Sequence, residues 1–360
     1  MKKSFLIFIA IISLFAINAK IFAQGCVAIR STAGIGMSHP GKSDSAGSWS
    51  LSFNNRYFKS FRHYVGEAEQ KQRQTLGNEV INHVYTGDIG ITRIINSRWS
   101  LFVDIPELVN ARSQTYTEYG SLHRFSTHST GLGDIRFTVY SWLWDPARFH
   151  RGNVQVGLGI KLPTGDYKYQ DWFPNSDTTK VFKSVDQSIQ LGDGGTGFTA
   201  EINAYYNFSR KVGVYGNFYY LVSPRNQNGV ATTPTPSASQ LANGSYIMSV
   251  PDQYLFRGGV NITARDFVFS AGLRDECEPA KDLVGGSDGF RRPGFIISAE
   301  PGVTYNLKNV SIYGFVPIAI QRNRTQSEPD KITTQLTGKY TQGDAAFADY
   351  LINIGISFKL

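Results

Sequence analysis

The sequence predicts an all-β protein, a transmembrane up-and-down antiparallel β-barrel of about 12 strands behind an N-terminal signal peptide. Three observations support this prediction. Apolar residues alternate with small or polar ones over stretches longer than the strands of most soluble proteins. Short and long connections alternate between these stretches, and the first residues have the layout of an export signal.

Residues 1–23 form the predicted signal peptide, with cleavage after Ala23. Lys2 and Lys3 precede an apolar run over residues 5–17, which is too short to cross a bilayer comfortably as a helix. The alternatives are an uncleaved anchor helix and lipidation of Cys26. We expect residues 24–48 to be a periplasmic segment or a plug in the lumen, and residues 49–360 to be the outer-membrane barrel.

The net charge and the two cysteines limit which partners and covalent links the sequence predicts. The net charge is +8, and loss of three lysines with the signal peptide leaves +5. A modest positive balance attracts anionic solutes or lipid headgroups but says nothing about fold. No Lys/Arg run or nucleic-acid module is present, so we predict no nucleic-acid partner. Cys26 and Cys277 form a disulfide or remain free thiols, and the sequence leaves both interpretations open.

The period-two alternation is clear at the end of the chain, where Tyr350, Ile352 and Ile354 share one face. Side chains of a β-strand point alternately to opposite faces, so this pattern indicates a strand with two different environments. A tilted membrane-spanning strand has about 9–11 residues in the apolar layer. The segments with this pattern are 49–63, 79–95, 99–110, 131–144, 154–165, 196–208, 212–223, 252–264, 267–277, 294–306, 310–323 and 345–360.

The connections between these segments alternate in length. Residues 96–98, 209–211, 265–266 and 307–309 form short turns, whereas 166–195 and 224–251 are long loops. Outer-membrane barrels have short turns inside and long loops outside. A soluble sandwich or propeller is the alternative, but it predicts shorter strands with turns every 8 to 12 residues.

A sheet in hydrocarbon must close, because lipid offers no partners for backbone amides and carbonyls. We therefore expect the last strand to pair with the first. The last strand also resembles the signal read by the barrel-assembly machinery, which is a predicted partner together with the lipid bilayer of the outer membrane. Trp49, Trp99 and Trp144 fall at strand ends and predict an interfacial aromatic girdle.

The residues that alternate with the apolar set are predicted to face the lumen. Unpaired charges in a narrow barrel are costly, so they pair with one another or stay hydrated. Two interpretations use the same residues, a salt-bridged ladder that supports the wall and a polar track that guides a solute. These residues are Arg56, Arg62, Asp88, Asp104, Asp134, Arg136, Lys161, Glu201, Arg257, Arg274, Glu276 and Glu300.

Two loops have an unusual composition. Residues 285–294 hold four glycines and predict a compact turn, since glycine adopts backbone angles that other residues avoid. We expect one of two roles for Arg291 and Arg292 in this turn. They form ion pairs with Glu276 or Glu300 that fix the turn, or they contact an anion. Residues 224–251 predict a solvated, mobile loop.

The sequence predicts no enzyme, no cofactor and no metal site. His128 and Ser129 are adjacent and would point to opposite faces of a strand, so they could not work as base and nucleophile. The sequence has no GxSxG, HExxH or P-loop motif. An outer-membrane phospholipase is therefore only a distant alternative.

Three stretches resemble a known family: GLGDIRFTVYSWL at 131–143, VQVGLGIKLPTGDY at 154–167 and RPGFIISAEPGVTYNL at 292–307. They are similar to the outer-membrane family of proposed transporters linked to the meta-pathway of phenol degradation, in a Bacteroidetes-type form. The resemblance implies a barrel in the outer membrane of a Gram-negative bacterium that moves hydrophobic or aromatic compounds. Gly133, Asp134, Pro163, Thr164 and Gly165 match the pattern, but no functional residue is carried over.

These observations predict a passive transporter or channel for small compounds, whose solute the sequence does not identify. The alternative is a plugged structural or binding barrel without flux. Inward bulky tyrosines favour a narrow bore, and a wall of about 12 strands encloses less space than that of an open porin.

Overall fold

The computed structural model describes residues 46–116, 123–176 and 178–360. The predicted signal peptide, almost all of the segment 24–48 and Cys26 lie outside these ranges. In the described part of the chain, no helix is both long and apolar enough to cross a membrane.

Antiparallel strands dominate the described residues, with three short helices in the loops. The helices are Gln72–Thr75, Ala238–Asn243 and Glu328–Thr337. The strands are β1 (Trp49–Val65), β2 (Ala68–Glu69), β3 (Ile81–Ile94), β4 (Trp99–Thr115), β5 (Arg124–Leu132), β6 (Arg136–Trp142), β7 (Gly152–Lys161), β8 (Gln170–Pro174), β9 (Lys180–Ser184), β10 (Gly197–Asn207), β11 (Val212–Val222), β12 (Gln227–Ala231), β13 (Ile247–Ser249), β14 (Gln253–Ala264), β15 (Phe267–Glu278), β16 (Gly294–Asn306), β17 (Val310–Phe315), β18 (Ile318–Arg324) and β19 (Ala345–Lys359).

The main sheet closes on itself, which confirms the predicted barrel. Antiparallel pairing runs from each wall strand to the next wall strand along the chain, and β19 returns to pair with β1. At this seam Leu51 lies opposite Phe358, and the amide of Leu360 donates to the carbonyl of Trp49 at 2.8 Å. Closure gives the first and last strands partners on both edges, as a lipid-exposed backbone requires.

Two of the twelve barrel strands are interrupted, a detail that the alternation did not predict. β5 and β6 both pair with β4 and are separated by residues 133–135. β17 and β18 both pair with β16 and are separated at Val316 and Pro317. Proline has no amide to donate to the ladder, so Pro317 marks a point where pairing stops.

The two faces of the wall differ as the alternation predicts. Side chains of the inner face are largely polar and buried, whereas the outer face presents large apolar side chains with 37% to 64% of their surface exposed. Without a membrane such an apolar surface would be unfavourable, so it is the lipid-facing belt. Its members include Phe53, Ile89, Leu101, Val139, Leu158, Phe198, Ile202, Phe218, Phe256, Val260, Phe269, Leu273, Ile312 and Ile354.

The long loops are more ordered than predicted. Residues 224–251, predicted as a solvated loop, contain β12, β13 and a helix whose Ser237 forms a capping box with Gln240. Met248 and Val250 of this loop are fully buried. The loops therefore pack over the barrel as a folded cap. Alternation does not show this, because loop packing depends on contacts between distant parts of the chain.

Candidate functional site: a charged belt and a covered chamber in the lumen

The lumen nearest the short turns is lined by uncharged amides. Asn217 Nδ2 donates to Asn203 Oδ1 at 2.7 Å, and Asn203 Nδ2 donates to Gln155 Oε1 at 3.2 Å. Asn353 is buried on the inner face of β19. Amides both donate and accept hydrogen bonds without carrying charge, so this end of the lumen is polar but neutral.

At mid-height the lumen holds a group of buried charges, here called the charged belt. Its members are 0% to 8% exposed and come from most barrel strands. The charged belt consists of Arg56, Asp88, Asp104, Arg136, Glu201, Arg257, Arg274, Glu276 and Glu300.

One half of the charged belt lies on β1, β3, β4 and β6. Arg56 Nη2 donates to Asp88 Oδ2 at 3.3 Å, and Arg136 Nε donates to Asp104 Oδ2 at 3.1 Å. Asp104 and Arg136 are direct partners in the β4–β6 ladder, which places both side chains on the inner face. Ionised partners make these hydrogen bonds stronger than neutral ones.

Tyrosines continue the charged belt toward β10 and β11. Arg136 Nη1 donates to the hydroxyl of Tyr219 at 3.3 Å, and the Tyr140 hydroxyl donates to Glu201 Oε2 at 2.8 Å. The ring of Tyr140 lies against Gly157, where a Cβ atom would stand 2.4 Å from the ring. Gly157 is therefore required for this tyrosine to lie flat on the wall.

The other half of the charged belt centres on Glu300. Arg257 Nε donates to Glu300 Oε1 at 2.8 Å, and Arg274 Nη1 donates to Glu300 Oε2 at 3.3 Å. Arg274 Nη2 also donates to Glu276 Oε1 at 2.8 Å. Two cations and two anions thus neutralise one another, which buried charges require. This arrangement favours a supporting ladder over a hydrated track.

Arg62 and Arg291, two other residues of the predicted set, lie outside the charged belt. Arg62 is about one-third exposed and contacts Glu69 and Asp349, each at 3.1 Å. Arg291 is buried and makes a bidentate pair with Asp282 at 2.7 and 2.6 Å. Of the two alternatives that the sequence leaves open for Arg291, the ion pair with Glu276 or Glu300 is wrong, because arginines of the wall already hold those carboxylates.

Residues 185–193, here called the strap, cross the loop end of the lumen. Ile189 is fully buried, and its carbonyl accepts hydrogen bonds from the Ser129 hydroxyl and from Asn110 Nδ2. The Ser188 hydroxyl donates to Asn82 Oδ1 at 3.4 Å. The strap is thus bonded to the inner faces of β3, β4 and β5.

Asp186 fixes the strap electrostatically. Arg292 donates to both of its carboxylate oxygens, at 2.8 and 2.7 Å, and Arg112 lies 3.3 Å away. Burial alone would raise the pKa of Asp186, but the two guanidinium groups outweigh burial and lower that pKa well below its usual range. Asp186 is therefore ionised at neutral pH. Arg292, predicted to meet a belt glutamate, instead ties the strap to the start of β16.

The family-like motifs meet at the break between β5 and β6. Asp134 accepts hydrogen bonds from Lys161 Nζ at 3.0 Å, from the Gly165 amide at 3.0 Å and from the Asp193 amide at 3.3 Å. Lys161 also contacts the Asp193 carboxylate. Asp134 therefore contacts the loop that carries the strap near both of its ends, at Gly165 and at Asp193, and Lys161 contacts it at Asp193.

Thr164 and the glycines complete this junction. The Thr164 hydroxyl donates to the Gly133 carbonyl at 2.7 Å and accepts from the Ile135 amide at 2.9 Å. A Cβ atom on Gly165 would stand 2.5 Å from the Leu191 carbonyl oxygen. The motif residues therefore shape the point where the loop turns back into the lumen.

Between the strap and the charged belt lies a cavity of about 120 Å³, here called the chamber. Apolar and polar side chains both line the chamber, and the polar ones include Arg56, Lys161, Gln187, Gln253 and Arg292. The strap was not predicted, and the only sequence signal for it is the glycine-rich stretch 192–195. The apolar part of the lining, here called the apolar lining, consists of Phe58, Val84 and Leu108 on the adjoining strands β1, β3 and β4, Leu191 of the strap, and Leu221 on β11 across the barrel.

The described residues offer no arrangement for hydrolysis at the positions that the sequence raised. Ser129 is fully buried on the inner face, whereas the His128 side chain is 63% exposed and lies 3.8 Å from Asp171. No cluster of metal-ligating side chains occurs in the ranges that the structure covers. Cys277 is buried, and its pairing with Cys26 stays a prediction because Cys26 is outside the described residues.

Comparison with solved structures decides the class of barrel. The COG4313 outer membrane channel from Pseudomonas putida F1 matches with a TM-score of 0.56 at 8% identity, over 89% of this chain and 99% of that one. The chain is an outer-membrane β-barrel. At this identity the likeness shows the fold, and the fold places the barrel in the outer membrane of a Gram-negative bacterium.

Two other solved structures are less similar. The CymD monoaromatic hydrocarbon channel gives a TM-score of 0.43 at 9% identity, over 95% of this chain and 99% of that one. A Pseudomonas aeruginosa FadL homologue gives 0.41 at 9% identity, over 94% and 98%. No family model matches the barrel, and no curated protein matches it.

Proposed function

We propose that this barrel is a passive transporter for small hydrophobic or aromatic compounds. The observation that carries the proposal is the chamber, which lies inside the barrel, below the loops, and is lined in part by apolar side chains. An engineered apolar cavity of about 150 Å³ holds benzene, so a chamber of about 120 Å³ suits a molecule of about one ring.

The motifs that resemble the meta-pathway family support the same proposal. Asp134, Lys161 and Gly165 hold the loop whose strap closes the chamber. In this proposal the motif shapes a compartment for the solute and does not contact the solute chemically. Solute reaches the chamber when the strap moves and leaves through the neutral, amide-lined end of the lumen.

The test fills the chamber. Leu108→Trp adds a large side chain to the apolar lining of the chamber, and Val260→Trp adds the same side chain on the lipid-facing belt as a control. We expect entry of a radiolabelled neutral monocyclic aromatic into cells expressing the native chain to fall several-fold with Leu108→Trp and to be unchanged with Val260→Trp. Transport would be refuted if the aromatic entered cells with either folded variant and cells without the protein at the same rate.

A plugged barrel without flux is the second candidate, and the charged belt favours it. Charges that are at most 8% exposed leave little free space at mid-height. Ion current in planar bilayers separates the candidates, because a plugged barrel passes neither current nor solute. Current or solute flux through the native chain would remove the plugged-barrel interpretation.

A further inference from the structure

The turn end of the barrel carries a concentration of positive charge. Every short connection contributes at least one cation, and two more lie at adjoining strand ends. Against these nine cations the described residues of this end offer only Asp145 and Asp266. The cations, here called the basic collar, are Arg93, Arg98, Arg148, Arg151, Arg210, Lys211, Arg265, Lys308 and Lys359.

The basic collar lies just beyond a ring of exposed aromatic side chains. Trp49, Trp99, Trp144 and Phe208 are 45% to 59% exposed at the same end of the barrel. The guanidinium of Arg93 sits over the ring of Trp49, 4.8 Å from its centroid. Aromatic residues occupy the headgroup level of a bilayer, and long basic side chains reach past them to the surface.

The loop end has no such excess. Several of its cations pair with acids of the same region, as in Arg62 with Glu69 and Arg291 with Asp282. Arg124 with Glu79 and Lys331 with Glu328 repeat the pattern. The net positive charge of the described residues is therefore concentrated at the turn end of the barrel.

We propose that the basic collar binds the phosphate headgroups of anionic phospholipids in the inner leaflet of the outer membrane. In outer-membrane barrels the short turns face the periplasm, so the collar borders that leaflet. The cations occur on all five short turns and at the closing seam, around the whole circumference. A lipid leaflet surrounds the barrel in the same way, whereas a protein partner would contact one sector.

The test compares two lipids on purified, delipidated protein. Phosphatidylglycerol or phosphatidylcholine is titrated in detergent, and bound lipid is counted by native mass spectrometry. We expect the native chain to prefer phosphatidylglycerol by about fivefold or more, since each Lys/Arg near an anionic surface contributes attraction of that order. The preference should weaken as salt is raised.

Two quadruple variants make the result specific to the basic collar. Arg148→Gln, Arg151→Gln, Arg210→Gln and Lys211→Gln remove four exposed collar charges, whereas Lys71→Gln, Lys168→Gln, Lys281→Gln and Lys339→Gln remove four exposed charges at the loop end. Both variants are first checked for the folded band on electrophoresis without heating, and only folded protein is titrated. The collar variant should lose most of the preference, and the loop variant should keep it.

Three results would overturn the proposal. One is a native chain without preference between the two lipids, and another is equal loss in both variants. The third result comes from polyglutamate, which is added to the protein in phosphatidylcholine vesicles. Loss of polyglutamate binding in the collar variant, with the lipid preference unchanged, would assign the basic collar to an acidic macromolecule instead.

Discussion

Glu300 is the residue on which one half of the charged belt depends. It is fully buried and holds both Arg257 and Arg274. The period-two alternation predicted that these side chains face inward. It could not predict which cation meets which anion, because partners on different strands are set by register and by side-chain length.

Replacing Glu300 with Gln should destabilise the barrel. The change leaves two buried guanidinium groups with one carboxylate, and breaking a buried pair from one side costs roughly 3–5 kcal/mol. We expect a lower midpoint of guanidinium unfolding in lipid vesicles. Glu328→Gln is the matched control, since its pair with Lys331 is partly solvated and is worth at most about 0.5 kcal/mol. Equal midpoints for the two variants would contradict the structural role of Glu300.

The strap is the element that crosses the loop end of the lumen and lines one side of the chamber. The membrane strands follow from a local pattern, so most of them were predicted within a few residues. The strap has no such pattern, and its position depends on Asn82, Asn110 and Arg112 of distant strands. The break at Pro317 was missed because alternation continues across it. At residues 133–135 the alternation shifts by one position, since odd-numbered residues face inward in β5 and even-numbered residues face inward in β6.

Asp186→Asn should loosen the strap at neutral pH, because it removes the charge shared by Arg112 and Arg292. A nitroxide at Gln187→Cys, in a chain without its native cysteines, should become several-fold more mobile. The pKa of Asp186 is lowered in the folded state, so its stabilisation is complete above the usual Asp pKa of about 4 and is lost only as pH falls through the lower folded value.

The strap of the native chain should therefore stay immobile from pH 7 to about pH 4.5 and loosen only in stronger acid. Asp186→Asn should show no such acid transition, since it lacks the titrating group. A native strap that loosens between pH 7 and pH 5 would contradict the electrostatic account of its attachment.

At the scale of the whole molecule, the sequence was sufficient to predict the closed barrel. It was not sufficient to predict the folded cap and the chamber. A closed barrel was predicted from the period-two alternation, from the alternation of short and long connections, and from the hydrogen-bond requirement of a lipid-exposed sheet. The pairing of β1 with β19 confirms this prediction. The folded cap and the chamber arise from contacts between loops that are far apart in sequence, so no local sequence pattern predicts them.

Closure can be tested by a disulfide across the seam. Ser52 and Ser357 are direct partners of β1 and β19, a spacing that suits a disulfide. Ser52→Cys with Ser357→Cys should therefore form an intramolecular cross-link in detergent under mild oxidation. Ser52→Cys with Ser270→Cys, on β15, should not cross-link within one chain. Absence of the first cross-link in folded protein would contradict a closed barrel.

The most direct test of the central claim, that solute passes through the chamber under the strap, is a reversible lock on the strap. Asn82 and Ser188 are 3.4 Å apart at their side-chain oxygens, so Asn82→Cys with Ser188→Cys can join the strap to β3. We predict that oxidation abolishes entry of the monocyclic aromatic and that reduction restores it, with Asn82→Cys alone unaffected by either treatment. Equal entry through the oxidised and the reduced chain would contradict this account.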